Sequence, residues 1–399
     1  MLTRRGWSVL GASAGLWTGA RVLGLVQLVA LGIAGLLLLA AAVGWVRRNP
    51  VSLRAGRTVR ERLQVGVEGR VDLVVERSGR RAAPTLRLTE AFDGGRRSAR
   101  FLLAPTEPGE PARAAYQIPT ERRGRFELGP LRATVSDPFG LASITRRVLG
   151  TEEVIVHPRV HNHLLPLPET GGDRLDRDQR RAHGELDAVG EFLTLREYAP
   201  GDDLRRVHWR STARRDRLMV RQHEARYRSP VLVLLDVRPA AHDAASFERA
   251  VEACASIAAV LDRTERPYDV MLSTGVAVGT PGRRQLVSVL DELAVVEPHG
   301  PGRIVAATSR RRTGALVAIT GRADTDAVGA MSVLVRSGGS LTVVATRDDV
   351  AVAPPAGRRV RPLVVYATPD LPFAQSWNEA VLSWQRSVRT FSSPSPAPA

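Results

Sequence analysis

Three hydrophobic regimes follow one another along the chain. From Leu23 to Val46 the sequence LGLVQLVALGIAGLLLLAAAVGWV runs 24 residues without a charge. At about 1.5 Å per residue it is long enough to cross a hydrocarbon core of about 30 Å. Upstream, Trp7 to Ala20 is apolar but shorter and bounded by Arg5 and Arg21. It reads as a tilted second span, Arg21 snorkelling to the interface, so residues 1–48 form a membrane anchor of one or two transmembrane helices. No small-residue cleavage site precedes a polar mature start, which disfavours a signal peptide.

The second regime, residues 51–160, has short period-two stretches broken by turn residues: RTVRERLQVGV, VDLVVER, TLRLTEAF, ARFLLAP, AAYQIPT and FELGPLRATVSD. Val65, Val67, Val71, Leu73 and Val75 carry the alternation of half-buried strands, which predicts an antiparallel β-sandwich of immunoglobulin-like size. Asp137-Pro138 is a turn. Residues 161–189 form a polar linker with paired Gly171 and Gly172 and many charges. His157, His161 and His163 stand near its start, with no carboxylate at ligand spacing, so no metal is expected there.

From about residue 229 to 391 apolar runs alternate with amphipathic stretches. Strand VLVLLD (Val231 to Asp236) precedes a helix from Ser246 to Asp262, with Phe247, Val251, Cys254, Ala258 and Leu261 on one face. YDVMLST, ALVAIT, LTVVATR and LVVYAT read as strands, and Arg283–Leu293, Asp326–Arg336 and Ser376–Thr390 as helices. Continuous apolar strands between helices predict a parallel, doubly wound α/β domain with ligand positions at the strands' carboxyl ends. Asp236 ends the first strand and so occupies such a position. The tail 392–399 is expected to be disordered.

Composition changes this picture in two ways. The net charge is +16 with a pI near 11.3, which ordinarily points to nucleic acid or anionic lipid. All 57 basic residues are arginine, however, because the sequence contains no lysine. Such usage, with abundant Ala, Gly, Pro and Val, is that of a GC-rich genome and weakens the charge as a guide to partners. Lacking lysine, the chain holds neither a Walker A loop nor a Schiff-base amine. Its single cysteine, Cys254, rules out an internal disulfide and reads as a small core residue. Arg47, Arg48, Arg54, Arg57 and Arg60 crowd the carboxyl side of the apolar run, so the positive-inside rule places the soluble part in the cytoplasm, behind a multi-pass anchor in the plasma membrane.

Between the two soluble regions, the motif segment 190–228 contains REYAPGDDLRRVHWRSTARRDRLMVRQHE. Pro200-Gly201-Asp202 is turn chemistry, and a helix from Leu204 to Thr212 is expected after it. Asp202, Asp203, Arg205, Arg206, His208, Trp209, Arg210 and Arg214 are the candidate binding residues, since Trp and Arg dominate interface energetics. Their intramolecular alternative is a junction in which Asp202, Asp203, Asp216 and Glu224 pair with the arginines and Trp209 is buried. Nucleic-acid or anionic-lipid binding by the ten arginines of Arg196–Arg228 is the second reading, weakened by five interrupting carboxylates. Hydrolysis by Asp203, His208 and Ser211 is the third, without a nucleophile elbow or oxyanion loop. The chain is therefore expected not to be an enzyme.

The motif segment, together with RRGRFELGPL and DPFGL (Arg122 to Leu131, Asp137 to Leu141) and VLVLLDVRP (Val231 to Pro239), is similar to the bacterial family called domain of unknown function 58. The resemblance implies a membrane hairpin, a β-sandwich and a von Willebrand factor type A-like α/β domain. It also implies a gene neighbourhood with a MoxR-type AAA+ ATPase as protein partner, and hence a scaffold or protein-interaction role in an envelope-associated assembly. Such α/β modules often hold a divalent metal through an Asp-x-Ser-x-Ser loop, a Thr and a second Asp. Here Asp236, Thr320 and Asp324 stand at those positions, but the loop reads Asp236-Val237-Arg238-Pro239-Ala240. Both hydroxyls are lost and Arg238 brings its own cation, so Mg²⁺ and other cofactors are not expected.

Overall fold

The computed structural model describes residues 1–49, 53–60, 63–77, 85–104, 111–118, 120–167, 191–198, 207–215, 217–224, 230–282, 285–305, 313–347 and 362–391. The chain divides into two compact units, Met1–His157 and Pro158–Ala399.

The first unit opens with a helical hairpin, α1 (Arg4–Leu23) and α2 (Val26–Arg48). Gly24 closes α1 in the left-handed region at φ 69°, which only glycine adopts without strain, and its N–H donates to the Ala20 carbonyl. The helices approach through small residues, and a Cβ at Gly35 would strike the Ser13 hydroxyl. Among the described helices only α2 is long and apolar enough to cross a membrane.

Among the described residues nine strands follow: β1 (Leu53–Arg60), β2 (Leu63–Gln64), β3 (Gly69–Arg77), β4 (Leu86–Phe92), β5 (Arg97–Leu103), β6 (Ala112–Ile118), β7 (Gly124–Ser136), β8 (Ser143–Leu149) and β9 (Glu152–His157). They form two sheets, β1-β3-β6 and β2-β9-β7-β4-β5, with β8 also on β7. Leu73 and Val75 of β3 pack against Leu88 of β4 and Leu131 and Ala133 of β7, so the two sheets share one core, as the alternation predicts. Val65 and Val67 depart from it. Gly66 at φ 80° turns the chain there, β2 ends at Gln64, and Val67 is 53% exposed. Gly129 of the RRGRFELGPL stretch has φ 96°, and a Cβ on it would collide with the Gly150 carbonyl.

Two polar devices lock this unit. Asp137 is buried, and its carboxylate accepts from the N–H groups of Phe139 (2.9 Å) and Ala142 (2.5 Å), which makes the expected turn a rigid loop. That loop holds the foot of the hairpin. Thr3 Oγ1 donates to Gly140 O (2.6 Å) while capping α1, and Leu141 and Ala142 pack with Leu39, Ala42 and Val46 of α2. The second device is Arg57. The flank pattern reads it as a membrane-side charge, yet its side chain is 1% exposed and its guanidinium pairs with Glu90, which is fully buried, across the two sheets. A buried carboxylate needs such a partner, and the period-two pattern of one strand cannot reveal a cation arriving from the other sheet.

The second unit begins with residues 158–167, of which the sequence reads 158–160 as the end of the β-sandwich and 161–167 as the start of a polar linker. They are instead fastened to the α/β sheet's helices: Leu164 is in the core, Leu165 N–H donates to Asn378 Oδ1 (2.7 Å) and Trp377 Nε1 donates to Leu165 O (2.9 Å). β10 (Glu191–Glu197) and β11 (Met219–Glu224) pair antiparallel around a short helix, α3 (Trp209–Arg215). The main sheet comprises β12 (Val231–Leu235), β13 (Tyr268–Leu272), β14 (Ala277–Val278), β15 (Thr313–Thr320), β16 (Val335–Ala345) and β17 (Leu363–Tyr366), in the order β14-β13-β12-β15-β16-β17. All neighbours run parallel except β14 against β13.

Helices α4 (Ala244–Arg263), α5 (Gln285–Val295) and α7 (Phe373–Phe391) cover the face bearing Val231, Val233 and Leu235, and α6 (Thr325–Val333) covers the face bearing Leu232 and Leu234. Burial on both faces explains the unbroken apolar strands. Asp243 starts α4 with a reciprocal capping box to Ser246. Cys254 is wholly buried in α4, and burial pushes its thiol up to about 12, as fits a core residue.

Replacing Glu90 by Ala leaves the buried Arg57 with only the exposed Glu152, at 3.3 Å, as counter-ion. It is expected to lower the unfolding free energy of the detergent-solubilised protein by about 3–5 kcal/mol, against a much smaller loss for the double exchange Arg57→Met/Glu90→Leu, measured by chemical denaturation.

Candidate functional site

In the strand order β14-β13-β12-β15-β16-β17 the first strand, β12, lies between β13 and β15, so the connections reverse direction between β12 and β15. Open α/β sheets bind ligands in the crevice outside the carboxyl ends of such strands. Asp236 directly follows β12 and Thr320 ends β15, and the parallel register Leu235↔Ile319 brings them side by side. Thr320 Oγ1 donates to Asp236 Oδ2 at 2.7 Å. Gly321 follows in the tight approach of the turn at Pro239–Ala241, where a Cβ would strike the Ala241 carbonyl.

Asp236 is wholly buried. Its carboxylate is held from its own loop by Arg238, whose Nε donates to Oδ1 (3.0 Å) and Nη2 to Oδ2 (2.8 Å), with the Arg238 backbone N–H adding a third bond (3.1 Å). Arg238 Nη1 reaches across to Gly302 O (3.1 Å). Burial by itself would raise the Asp236 pKa. The hydrogen bonds and charge of Arg238, with the Thr320 hydroxyl, outweigh it and hold the carboxyl below its ordinary value of 3.8. His242 stands behind the pair with Nε2 2.8 Å from Asp236 O, and burial lowers its pKa.

The rest of this edge is filled in the same way. Arg249 of α4 donates to Ala367 O (3.1 Å) and Thr346 O (2.9 Å), the carbonyls just past β17 and β16. The residues present do not fit a divalent cation. Both Asp236 oxygens face a fixed guanidinium, and Asp324 turns its carboxylate to the Ala327 N–H (2.8 Å) as the cap of α6. Asp236 and Thr320 thus meet in a hydrogen bond, whereas Asp324 caps its own helix. Among the described residues no group of three His, Cys, Asp or Glu is placed to hold a metal.

In the motif segment, Asp202, Asp203, Arg205 and Arg206 lie outside the described residues. The helix starts later than Leu204: Val207 forms a bridge, His208 N–H donates to Met219 O (2.7 Å), and α3 begins at Trp209. His208 Nδ1 lies 2.8 Å from Ser211 Oγ, and Thr212 Oγ1 accepts the Met219 N–H (3.0 Å), so the inward side of α3 is stitched to β11. The outward side carries Trp209, 66% exposed, with Arg210 and Arg214 also exposed. Trp209 is therefore not the buried core of a junction.

One contact was hidden from the sequence. His161 Nε2 meets Glu252 Oε1 at 2.5 Å, supplying from α4 the carboxylate that no local spacing offered. Only the packing of the 158–167 segment on α4 brings them together.

Residues 194–350 match the family described as "Protein of unknown function DUF58". No curated protein matches the chain. Among solved structures, the CARDB domain of a Pyrococcus furiosus protein is 15% identical, with 26% of this chain and 92% of that chain covered and a TM-score of 0.20. The PKD domain of an M14-like peptidase from a Thermoplasmatales archaeon is 15% identical over 26% and 92%, with a TM-score of 0.16. A Listeria innocua β-glucosidase is 11% identical over 26% and 16%, also with a TM-score of 0.16. Scores of this size carry nothing about the fold or function of this chain.

Two outcomes test the Asp236 site. A carboxyl with a lowered folded pKa contributes stability that is complete above its unfolded value of 3.8 and is lost as the pH falls through the folded value. The unfolding free energy of the wild type is thus expected to drop more steeply below pH 3.8 than that of Asp236→Asn. Calorimetric titration with Mg²⁺ or Mn²⁺ should give no saturable heat; a saturable isotherm abolished by Asp236→Ala would refute Arg238 as the site's own cation.

Proposed function

We propose that the protein is a membrane-anchored docking module, and that α3 presents its contact surface. The exposure of Trp209 carries this reading. A large aromatic side chain left 66% in water beside Arg210 and Arg214, on a helix tied to β11 by His208 and Thr212, is a typical interface anchor. The occupied crevice at Asp236 supports it from the other side. An edge whose carboxylate and carbonyls are taken by Arg238 and Arg249 suits a protein-binding scaffold better than small-molecule chemistry.

On this reading α2, with α1 as the second span, anchors the chain in the plasma membrane, and Arg47 and Arg48 keep the two soluble regions in the cytoplasm. The two-sheet region is an immunoglobulin-like sandwich. The α/β region is a von Willebrand factor A-like domain, for which the strand order and the reversed third strand β14 speak. The partner is a protein, a MoxR-type AAA+ ATPase in an envelope-associated assembly, and the chain itself performs no catalysis.

Affinity purification of the tagged full-length protein from its native membranes, with mass spectrometry of what co-purifies, tests the proposal. An AAA+ ATPase is expected with the wild type and at least tenfold depleted with Trp209→Ala/Arg210→Ala, the size of loss an interface anchor gives. Recovery unchanged in that variant, with its thermal unfolding intact, would remove α3 from the interface.

A further inference from the structure

The outer face of the larger sheet in the first unit carries four arginines that have no carboxylate partner among the described residues. Register places them in two adjoining rows. Arg100 of β5 pairs with Thr89 of β4, Thr89 with Arg132 of β7, and Arg132 with Arg147 of β8. One row along, Leu102 pairs with Arg87, Arg87 with Thr134, and Thr134 with Thr145, the two threonine hydroxyls lying 2.9 Å apart. Strands lie about 4.8 Å apart, so the four guanidinium groups spread over a patch roughly 15 Å across. Arg87, Arg100, Arg132 and Arg147 are all exposed. The exposed carboxylates Glu127 and Glu153 are paired with one another in register at the far end of β7, where Glu153 also meets Arg125 (3.3 Å).

The basic end of this face is the end joined to the helical hairpin. Leu86, Leu103, Val135 and Ile144, the inward neighbours of the second row, pack with Trp45 of α2. Beyond them the Asp137–Leu141 loop is fastened to Thr3 and exposes Phe139 to 63%, and Leu102 in the row itself is 72% exposed. Unpaired arginines flanked by bare apolar side chains, held at the foot of an apolar hairpin, match the chemistry of a lipid headgroup layer. Arginine forks bind phosphate oxygens there, and Phe and Leu enter the interface below.

We infer that this face of the sandwich lies against the membrane that α2 enters and binds its anionic phospholipid headgroups, through Arg87, Arg100, Arg132 and Arg147, with Leu102 and Phe139 at the acyl boundary. The inference rests on the membrane anchoring proposed above. A sheet face presenting fixed arginines to one leaflet would set the tilt of the sandwich on the bilayer and make it depend on lipid charge and on salt.

The test uses the full chain in nanodiscs of phosphatidylcholine, with or without phosphatidylglycerol. Thr145→Cys, exposed in the second row, carries an environment-sensitive dye; the native Cys254 is wholly buried and its thiol is pushed up to about 12, so it stays unlabelled. Quenching by headgroup spin-labelled lipid is expected to rise with phosphatidylglycerol and to fall with salt. It should return to the phosphatidylcholine level in Arg87→Gln/Arg100→Gln/Arg132→Gln/Arg147→Gln, and recover when the four positions carry lysine. Equal quenching on both lipids, or a response the fourfold variant keeps, overturns the inference. Salt-sensitive binding of duplex DNA that the fourfold variant loses, without a lipid response, also overturns it and assigns the face to nucleic acid. Flotation after alkaline carbonate extraction separates the two levels: a chain that stays with the vesicles yet shows no lipid response refutes the headgroup face alone, and a chain that is extracted refutes the anchoring and the face together.

Discussion

A carboxylate taken out of water must be met within a few ångströms by a cation or by hydrogen-bond donors, and the interior of this protein is arranged around that requirement in both of its units. Inside the sandwich, Glu90 is answered by Arg57 from the opposite sheet. At the edge of the α/β sheet, Asp236 is answered by Arg238 from two residues away. Desolvation of an ion costs several kcal/mol, and only good geometry with further hydrogen bonds recovers it. The guanidinium fork supplies that geometry: two donors to Asp236 and a third to Gly302 O in one case, and donors toward Glu90 and Glu152 in the other. A chain without lysine has no other permanently cationic side chain to use.

The consequences at Asp236 run outward. Because Arg238 occupies both carboxylate oxygens, the crevice at the reversal between β12 and β15 is closed by the protein's own side chain. Arg249 treats the neighbouring carbonyls of Thr346 and Ala367 in the same manner. On the docking role proposed above, what remains for recognition is surface. The exposed Trp209 and its arginines lie on one element, and the arginine rows of β4, β5, β7 and β8 on another. Both displays have rigid backs: α3 is stitched to β11 through His208 and Thr212, and the arginine rows stand on strands whose reverse side is the sandwich core. Held side chains lose less freedom on binding, which is what makes an exposed aromatic or arginine effective in an interface.

The DPFGL loop shows how a short motif acquires a structural task. Locally it is an Asp-Pro turn. In the fold, the Asp137 carboxylate caps the loop from within, Gly140 and Leu141 give their carbonyls to Thr3, and Leu141 fills the foot of the hairpin. The first residues of the chain then lie beside β8 through the Leu2↔Ala142 bridge. The sandwich and the hairpin are therefore one unit rather than a tethered pair, a relation no hydropathy pattern contains.

Local periodicity determined the elements. The uncharged run made α2, alternation made the strands around Leu73, Leu88 and Leu131, and continuous apolar runs between amphipathic stretches made the parallel sheet from β12 to β17, because each of these patterns is the direct imprint of which faces lose water. The sequence also set Arg238 two residues from Asp236 and left open whether it repels an ion or pairs with the carboxylate; the folded loop pairs them. Tertiary structure decided what depends on residues meeting across the fold. It made Arg57 a core ion rather than a membrane flank, joined His161 to Glu252, turned Asp324 to its own helix, bent the chain at Gly66 where alternation ran on, and aligned four arginines from four strands on one face. Sequence spacing fixes neighbours along an element; register and sheet packing fix neighbours across elements, and buried charges are satisfied almost wholly by the latter.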